Sequence, residues 1–508
     1  MTEQKVKNLI PDIVPETGNY FCTWDSQCIT MYLRNKDADR VPSRDAMCEE
    51  YLFGENGLLN SFEGVRRDLI VILDDGWDVP YGATDSRLFG SLEADPERFP
   101  SLKMLEPKDR LRALAERVTA LGYRGLGLWV PTQMPYLVDG EEISHTPEEE
   151  RLHWEERARW CNEAGIIYWK ADWGKYQDDP DYCKMMCECV RKFAPEIKIE
   201  HGLPGYPLLE TEEGGYEIRE WQREYLKKVL PADDYLRTYD VVHELKYAST
   251  VNRAAICLEE ASKIDGPCAV LNIEDTALIG AALGCCIGVM RHDNEKNGTC
   301  IPLPPRLVSE SVCALRWQRI AQPFPANEVS IHISDERLKD VWLCPGRAKN
   351  VWPSVTKGDY YVTSPAAVSR NMPLPEVIAS GEKPYVVCSV HPVNGALSVA
   401  VTPRTIGGEF HVTPLADIRV KGGTASAPVG IFGRFTSLTA EFNEAVEGFR
   451  VLAQNMLSDT AQDVTERVTL SGRTMTIDGS LMLEIGSPEN PENGIPGVVF
   501  LLTSEAVL

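Results

Sequence analysis

Residues 166–174 read Ile-Ile-Tyr-Trp-Lys-Ala-Asp-Trp-Gly: a short apolar run of the kind that forms a buried strand, ending in Lys170, Asp172 and Trp173. Side chains alternate between the faces of a strand, so Lys170 and Asp172 project on the same side. A cation beside a carboxylate at the end of a buried strand costs free energy unless the charges are paired and hydrogen-bonded. Such a pair either pins the strand or serves chemistry. Residues 67–78, Arg-Asp-Leu-Ile-Val-Ile-Leu-Asp-Asp-Gly-Trp-Asp, repeat the design. Adjacent carboxylates at Asp74 and Asp75 repel each other unless a cation or hydroxyl groups occupy them. Acids next to an indole suit a sugar, whose hydroxyls donate to carboxylates and whose C–H face stacks on the aromatic ring. An acidic turn leading into the next helix is the plainer alternative.

Eight strand-like runs separated by helical periodicity must position these groups. They are residues 20–24, 69–73, 125–130, 166–171, 197–200, 235–239, 269–273 and 286–290. Residues 109–121, 147–163 and 181–193 carry apolar positions at helical spacing between them. Eight strands alternating with helices predict a (β/α)8 TIM barrel over residues 1–325. An open doubly wound sheet is the runner-up, but no glycine-rich phosphate loop follows the first strand. Barrel chemistry gathers at the C-terminal ends of strands. Here those ends carry Trp24 and Asp25, Asp74 and Asp75, Trp129, Lys170 and Asp172, Glu200 and His201, Arg237 to Asp240, Asn272 to Asp275, and Arg291 and His292. From about residue 326 to 508, short strand-like runs broken by Gly, Pro and Asn predict a C-terminal antiparallel β-sandwich domain.

Composition narrows the classes. A formal net charge of −24 disfavours nucleic acid and anionic membrane surfaces as partners. No apolar run reaches the length of a spanning helix, and residues 1–10 lack the pattern of a signal peptide. Fifteen cysteines, odd in number and scattered, fit a reducing interior, so a cytoplasmic location is expected. Cys183, Cys187 and Cys189 cluster on one predicted helix, but no compact four-ligand set accompanies them in sequence. They are read as free thiols, and neither a metal nor another cofactor is expected.

The barrel half resembles the clan of retaining α-galactosidases, glycoside hydrolase families 27 and 36 (clan D). Four segments carry the resemblance: Leu73-Asp-Asp-Gly-Trp77, Phe89-Gly-Ser-Leu-Glu-Ala-Asp-Pro-Glu-Arg-Phe-Pro100, Gly122 to Pro131 containing Gly127-Leu-Trp-Val-Pro, and Tyr168-Trp-Lys-Ala-Asp-Trp173. They stand in order and cover roughly residues 18–245. The resemblance implies hydrolysis of a terminal α-linked galactose-type sugar by double displacement through a covalent glycosyl-aspartate. It makes Asp172 the nucleophile and Lys170 a contact to sugar hydroxyls. Asp74 and Asp75 would bind hydroxyls at the non-reducing end, and Trp24 and Trp129 would line the pocket. Glu200 falls where some members contact the 2-substituent, with His201 beside it. Asp240 is the expected acid/base. Arg237 stands three residues before it, where the clan usually has an arginine four before, so Glu244 is the alternative.

Glycosidic cleavage passes through an oxocarbenium-like transition state, with one carboxyl attacking the anomeric carbon and another protonating the leaving oxygen. Lys170 is expected to favour the ionised form of Asp172. Arg237, which would oppose protonation of Asp240 by direct contact, is expected to face a substrate hydroxyl or a different acid. Two other classes stay open. One is an isomerase or aldolase in which Asp74, Asp75, Asp172, Glu200, His201 and Asp275 hold a divalent ion or Lys170 forms a Schiff base. The other is a sugar-binding barrel without turnover. Transfer of the glycosyl group to a sugar uses the same intermediate as hydrolysis. The partner expected is an α-glycoside or oligosaccharide, and a homo-oligomer is allowed for.

Overall fold

The structure is a computed structural model that describes residues 8–27, 43–55, 57–205, 218–238, 245–274, 276–290, 306–344, 358–489 and 495–504. Eight parallel strands close into a barrel: β1 (Tyr20–Cys22), β2 (Ile70–Leu73), β3 (Gly125–Pro131), β4 (Ile166–Asp172), β5 (Lys198–Gly202), β6 (Tyr235–Arg237), β7 (Val270–Glu274) and β8 (Cys286–Val289). Each strand pairs with its neighbours in chain order, and β8 closes on β1 through Tyr20 opposite Gly288. Between them run α1 (Pro107–Ala120), α2 (Pro147–Ala164), α3 (Pro180–Phe193), α4 (Glu220–Val229), α5 (Lys246–Ala261) and α6 (Ala277–Leu283), and α7 (Arg306–Gln318) follows β8. No helix among the described residues is long and apolar enough to cross a membrane.

Local sequence fixes where β4 begins and ends. Thr146 and Glu149 form a reciprocal capping box at the start of α2, and Gly165 ends that helix in the left-handed region at φ 78°. The strand then starts at Ile166. Trp169 faces outward and packs edge-on against Trp154 of α2, while Tyr168, Lys170 and Asp172 face the barrel axis. Just beyond, Gly174 lies so close to Thr132 that a Cβ would sit 2.7 Å from the Thr132 nitrogen.

Past residue 330 the chain is β-rich. An eight-stranded sheet runs in the order Ile331–Ile333, Ala367–Arg370, Tyr385–Val390, Leu397–Thr402, Val429–Gly433, Gly497–Thr503, Arg450–Asn455 and Gln462–Asp463. A five-stranded sheet holds Glu376–Ile378, Asp417–Lys421, Ser437–Glu441, Thr474–Asp478 and Thr469–Ser471. Pairing is mostly antiparallel, and one apolar core lies between the sheets, as in a sandwich. Buried Arg370 reaches back to the barrel half, donating at 2.6 Å to the carbonyls of Leu283 and Pro325.

The loop after β2 is tied down by Asp78. Its Oδ2 accepts from the backbone nitrogens of Gly90 at 3.1 Å and Leu92 at 3.3 Å. Gly90 needs its positive φ and lack of a side chain, since a Cβ there would meet the Gln133 carbonyl oxygen at 2.2 Å. Burial pushes the Asp78 carboxyl up to about 7, against the pull of those two amides. The folded chain therefore keeps a proton that the unfolded chain releases at a lower pH. Stability falls as pH rises from about 4 through about 7, and this contribution is level above that window. Asp78→Asn, which keeps an oxygen for both amides, should flatten part of this decline and raise the thermal midpoint at about pH 8. A decline with pH left unchanged in Asp78→Asn would show that Asp78 does not carry it.

Candidate functional site

Strand alternation brings six ionisable side chains to the barrel axis. From β4, Lys170 is 3% exposed, and its Nζ donates to Asp74 Oδ2 at 2.9 Å and lies 3.2 Å from Glu274 Oε1. It also lies 3.3 Å from Cys22 Sγ, and the Cys22 thiol donates to Asp74 Oδ2 at 2.9 Å. Burial alone would lower the lysine's pKa, yet Asp74 and Glu274 hold it well above the ordinary range. Lys170 and Asp172 share a face, as the sequence predicts, but take different partners. The cation on Asp172 is Arg237, whose Nη2 donates to Oδ1 at 2.7 Å. The Trp129 indole N–H donates to Oδ2 at 3.0 Å.

Arg237 is fully buried and bridges two acids, with Nη1 donating to Glu200 Oε1 at 2.9 Å. Its acid partners among the described residues include Asp172 and Glu200. Glu200 is saturated. It also accepts from Tyr168 Oη at 2.8 Å, Asn272 Nδ2 at 2.7 Å and Tyr20 Oη at 3.3 Å. Burial raises the Glu200 carboxyl despite the arginine. The single Tyr20 hydroxyl proton is shared with Glu274 Oε1, the nearer acceptor at 2.8 Å. The axis thus sets Asp74, Asp172, Glu200 and Glu274 against Lys170 and Arg237, four acids against two bases.

Asp75 turns to a separate cation. Arg44 grips it bidentately, Nε to Oδ1 at 2.6 Å and Nη2 to Oδ2 at 2.9 Å. Even so, burial pushes the Asp75 carboxyl up to about 6. The Arg44 guanidinium lies 4.6 Å from the Phe89 ring centroid and 5.9 Å from that of Trp173. Phe89, Trp129 and Trp173 pack on one another at 5.4–5.8 Å, forming an aromatic wall beside Asp172. Half-buried Trp24 belongs to the same apolar cluster. Trp77 is a core residue, its indole spent on the Trp129 carbonyl at 3.0 Å.

A cleft opens over this end of the barrel, bordered by Thr132, Asp172, Trp173, Asp178, Trp221 and Tyr225 among others. Side-chain exposure decides which carboxyl meets it. Asp172 is 14% exposed, against 4% for Asp74, 3% for Asp75, 0% for Glu200 and 6% for Glu274. Asp178 also lines the cleft, and burial raises its carboxyl. His201 borders the cleft too, but its Nδ1 is bound to Asp233 Oδ1 at 2.8 Å, away from the axial acids. Asp240, Glu244, Asp275, Arg291 and His292 lie outside the described residues.

Sequence reasoning gave no site role to Arg44, Cys22, Tyr20, Tyr168, Asn272 or Glu274, although Asn272 and Glu274 fall in a strand end it named. The strand period alone could have flagged Tyr20, Cys22 and Tyr168, since each is two residues from another inward position. Arg44 lies in a short helical turn (Ser43–Ala46) with no strand pattern to mark it.

No family model and no curated protein matches the chain. Among solved structures, it is similar to α-galactosidase I from Mortierella vinacea, at 11% identity over 96% of each chain with a TM-score of 0.43. It is similar to a GH27 β-L-arabinopyranosidase from Geobacillus stearothermophilus in complex with arabinose, at 8% identity over 98% of each chain with a TM-score of 0.40. An α-amylase from Anoxybacillus is similar at 10% identity, over 96% of this chain and 98% of that one, with a TM-score of 0.41.

Proposed function

We propose that the chain is a retaining α-glycosidase that cleaves a terminal α-linked galactose-type sugar, with Asp172 as nucleophile. One observation carries this reading. Of the acids gathered at the barrel axis, Asp172 is the one that reaches the cleft, held on one oxygen by Arg237 and on the other by Trp129. Two fixed donors orient the carboxylate and leave its outer lone pairs free to attack the anomeric carbon. An acid excess behind it favours the positive charge that develops on the sugar ring in the transition state. Trp173 borders the cleft and offers an apolar surface to the ring, backed by the buried rings of Phe89 and Trp129.

In this reading Asp74 and Lys170 recognise hydroxyls as one ion-paired unit. Asp75 acts together with Arg44, which must share its carboxylate partner or turn aside when sugar enters. Glu200 serves by holding Arg237, because its oxygens are already filled. Leaving-group protonation is assigned to Asp240.

Asp172→Asn should lower turnover of aryl α-glycosides by roughly a thousandfold or more while leaving the thermal midpoint near that of wild type. Retention of most of the activity would remove Asp172 as nucleophile and leave a sugar-binding or differently catalysed barrel.

The acid/base assignment has its own test. Asp240→Ala should lose activity on substrates with poor leaving groups and keep much of it on those with very good ones, which need little protonation. Asp178→Ala is the comparison. If the leaving-group dependence appears there instead, the proton donor is Asp178.

A further inference from the structure

Cys183 and Cys187 stand one helical turn apart on the buried face of α3. The structure brings to them two groups that are distant in sequence. Cys187 Sγ lies 3.0 Å from Asp233 Oδ1, and the same oxygen lies 2.8 Å from His201 Nδ1. Ligating atoms of Cys187, His201 and Asp233 all fall within 4.8 Å of one another. The three residues are 1%, 1% and 5% exposed. Asp233 is oriented by its other oxygen, which accepts the His201 backbone N–H at 2.9 Å.

As it stands, one carboxylate oxygen serves both a thiol and an imidazole. Cys183 flanks the same ring and offers a further thiol. The Cys187, His201 and Asp233 donors converge on one point, which a divalent cation can occupy. Thiolate and carboxylate together carry two negative charges and a neutral imidazole none, so a dication makes the buried site neutral. Sulfur, nitrogen and oxygen donors in one set favour zinc over magnesium or calcium. Metal–ligand bonds of about 2.0–2.3 Å place tetrahedral ligands about 3.3–3.8 Å apart. The observed 2.8 and 3.0 Å separations need to widen by no more than about 1 Å.

We propose that Cys187, His201 and Asp233 bind one zinc-class divalent cation, which clamps α3 to β5 and to the segment entering β6. Binding exchanges the Cys187 thiol proton and the His201 Nδ1 proton for the metal and leaves a proton on Nε2. Its place is structural. It fixes the strand that presents Glu200, and through Glu200 the arginine that holds Asp172. It is independent of the glycosidase reading.

The full-length protein, stripped with a chelator and dialysed, should take up one equivalent of Zn2+ in competition with a chromophoric chelator. Co2+ in its place should give a sulfur-to-cobalt charge-transfer band. Cys187→Ser should abolish that band and weaken zinc by more than the roughly 10–100-fold that outer-shell changes cost. Cys161→Ser, a buried cysteine outside the cluster, and Asp172→Asn should both bind as wild type does. Failure of the wild type to retain an equivalent of zinc, or a cobalt band unchanged in Cys187→Ser, overturns the proposal. If Cys187→Ser does not fold, the wild-type cobalt spectrum decides: absence of the sulfur band overturns it.

Discussion

The structure of the barrel mouth depends on one buried guanidinium. Arg237 sits at the end of β6 with no solvent exposure, joined to Asp172 on one side and Glu200 on the other, with Nε 3.8 Å from Glu274 Oε2. Removing that cation would leave three acids close together in a low-dielectric interior, a far larger cost than losing one surface pair. The surrounding polar groups answer to the same constraint. Tyr20, Tyr168 and Asn272 donate to Glu200 and Glu274 beside the arginine, so both oxygens of Glu200 are bonded while buried. A barrel serving only as scaffold could fill this space with branched aliphatics at lower cost.

Two cations divide the axial acids between them. Lys170 neutralises Asp74 and Glu274 deep in the barrel, and Arg237 neutralises Asp172 and Glu200 nearer the cleft. The excess of acids makes the pocket hostile to anions and favourable to a developing cation, which suits an oxocarbenium-like transition state. Asp75 lies outside this set, gripped by Arg44 from a turn the barrel does not build. The proposed zinc site would act one layer further out, beneath β5.

Much of this was legible in the chain because strand alternation is a local rule. The period of two put Lys170 and Asp172 on one face, and the alternation of strands with helices gave the closed barrel. Partner choice was not legible. Whether Lys170 meets Asp172, Asp74 or Glu274 depends on the stagger of strands around the barrel, which no single segment encodes. The sandwich shows the same limit. Leu397–Thr402 and Gly497–Thr503 stand out as apolar runs, whereas Val429–Gly433, buried on both faces and interrupted by glycine, has no alternation to reveal it. Ser437–Glu441 does alternate, but over only five residues. Cys183 and Cys187 were visible as a helical pair, while His201 and Asp233 became their neighbours only through the packing of α3 on β5.

The central claim is that Asp172 forms a covalent bond to the sugar. The direct measurement is intact-protein and peptide mass spectrometry after exposure to an activated 2-deoxy-2-fluoro-α-galactosyl substrate, which slows release of the intermediate. The account predicts one glycosyl adduct per chain, located on the peptide containing Asp172 and absent from Asp172→Asn. An adduct on another carboxylate, or turnover of an ordinary aryl α-galactoside with no adduct trapped at Asp172, would contradict it.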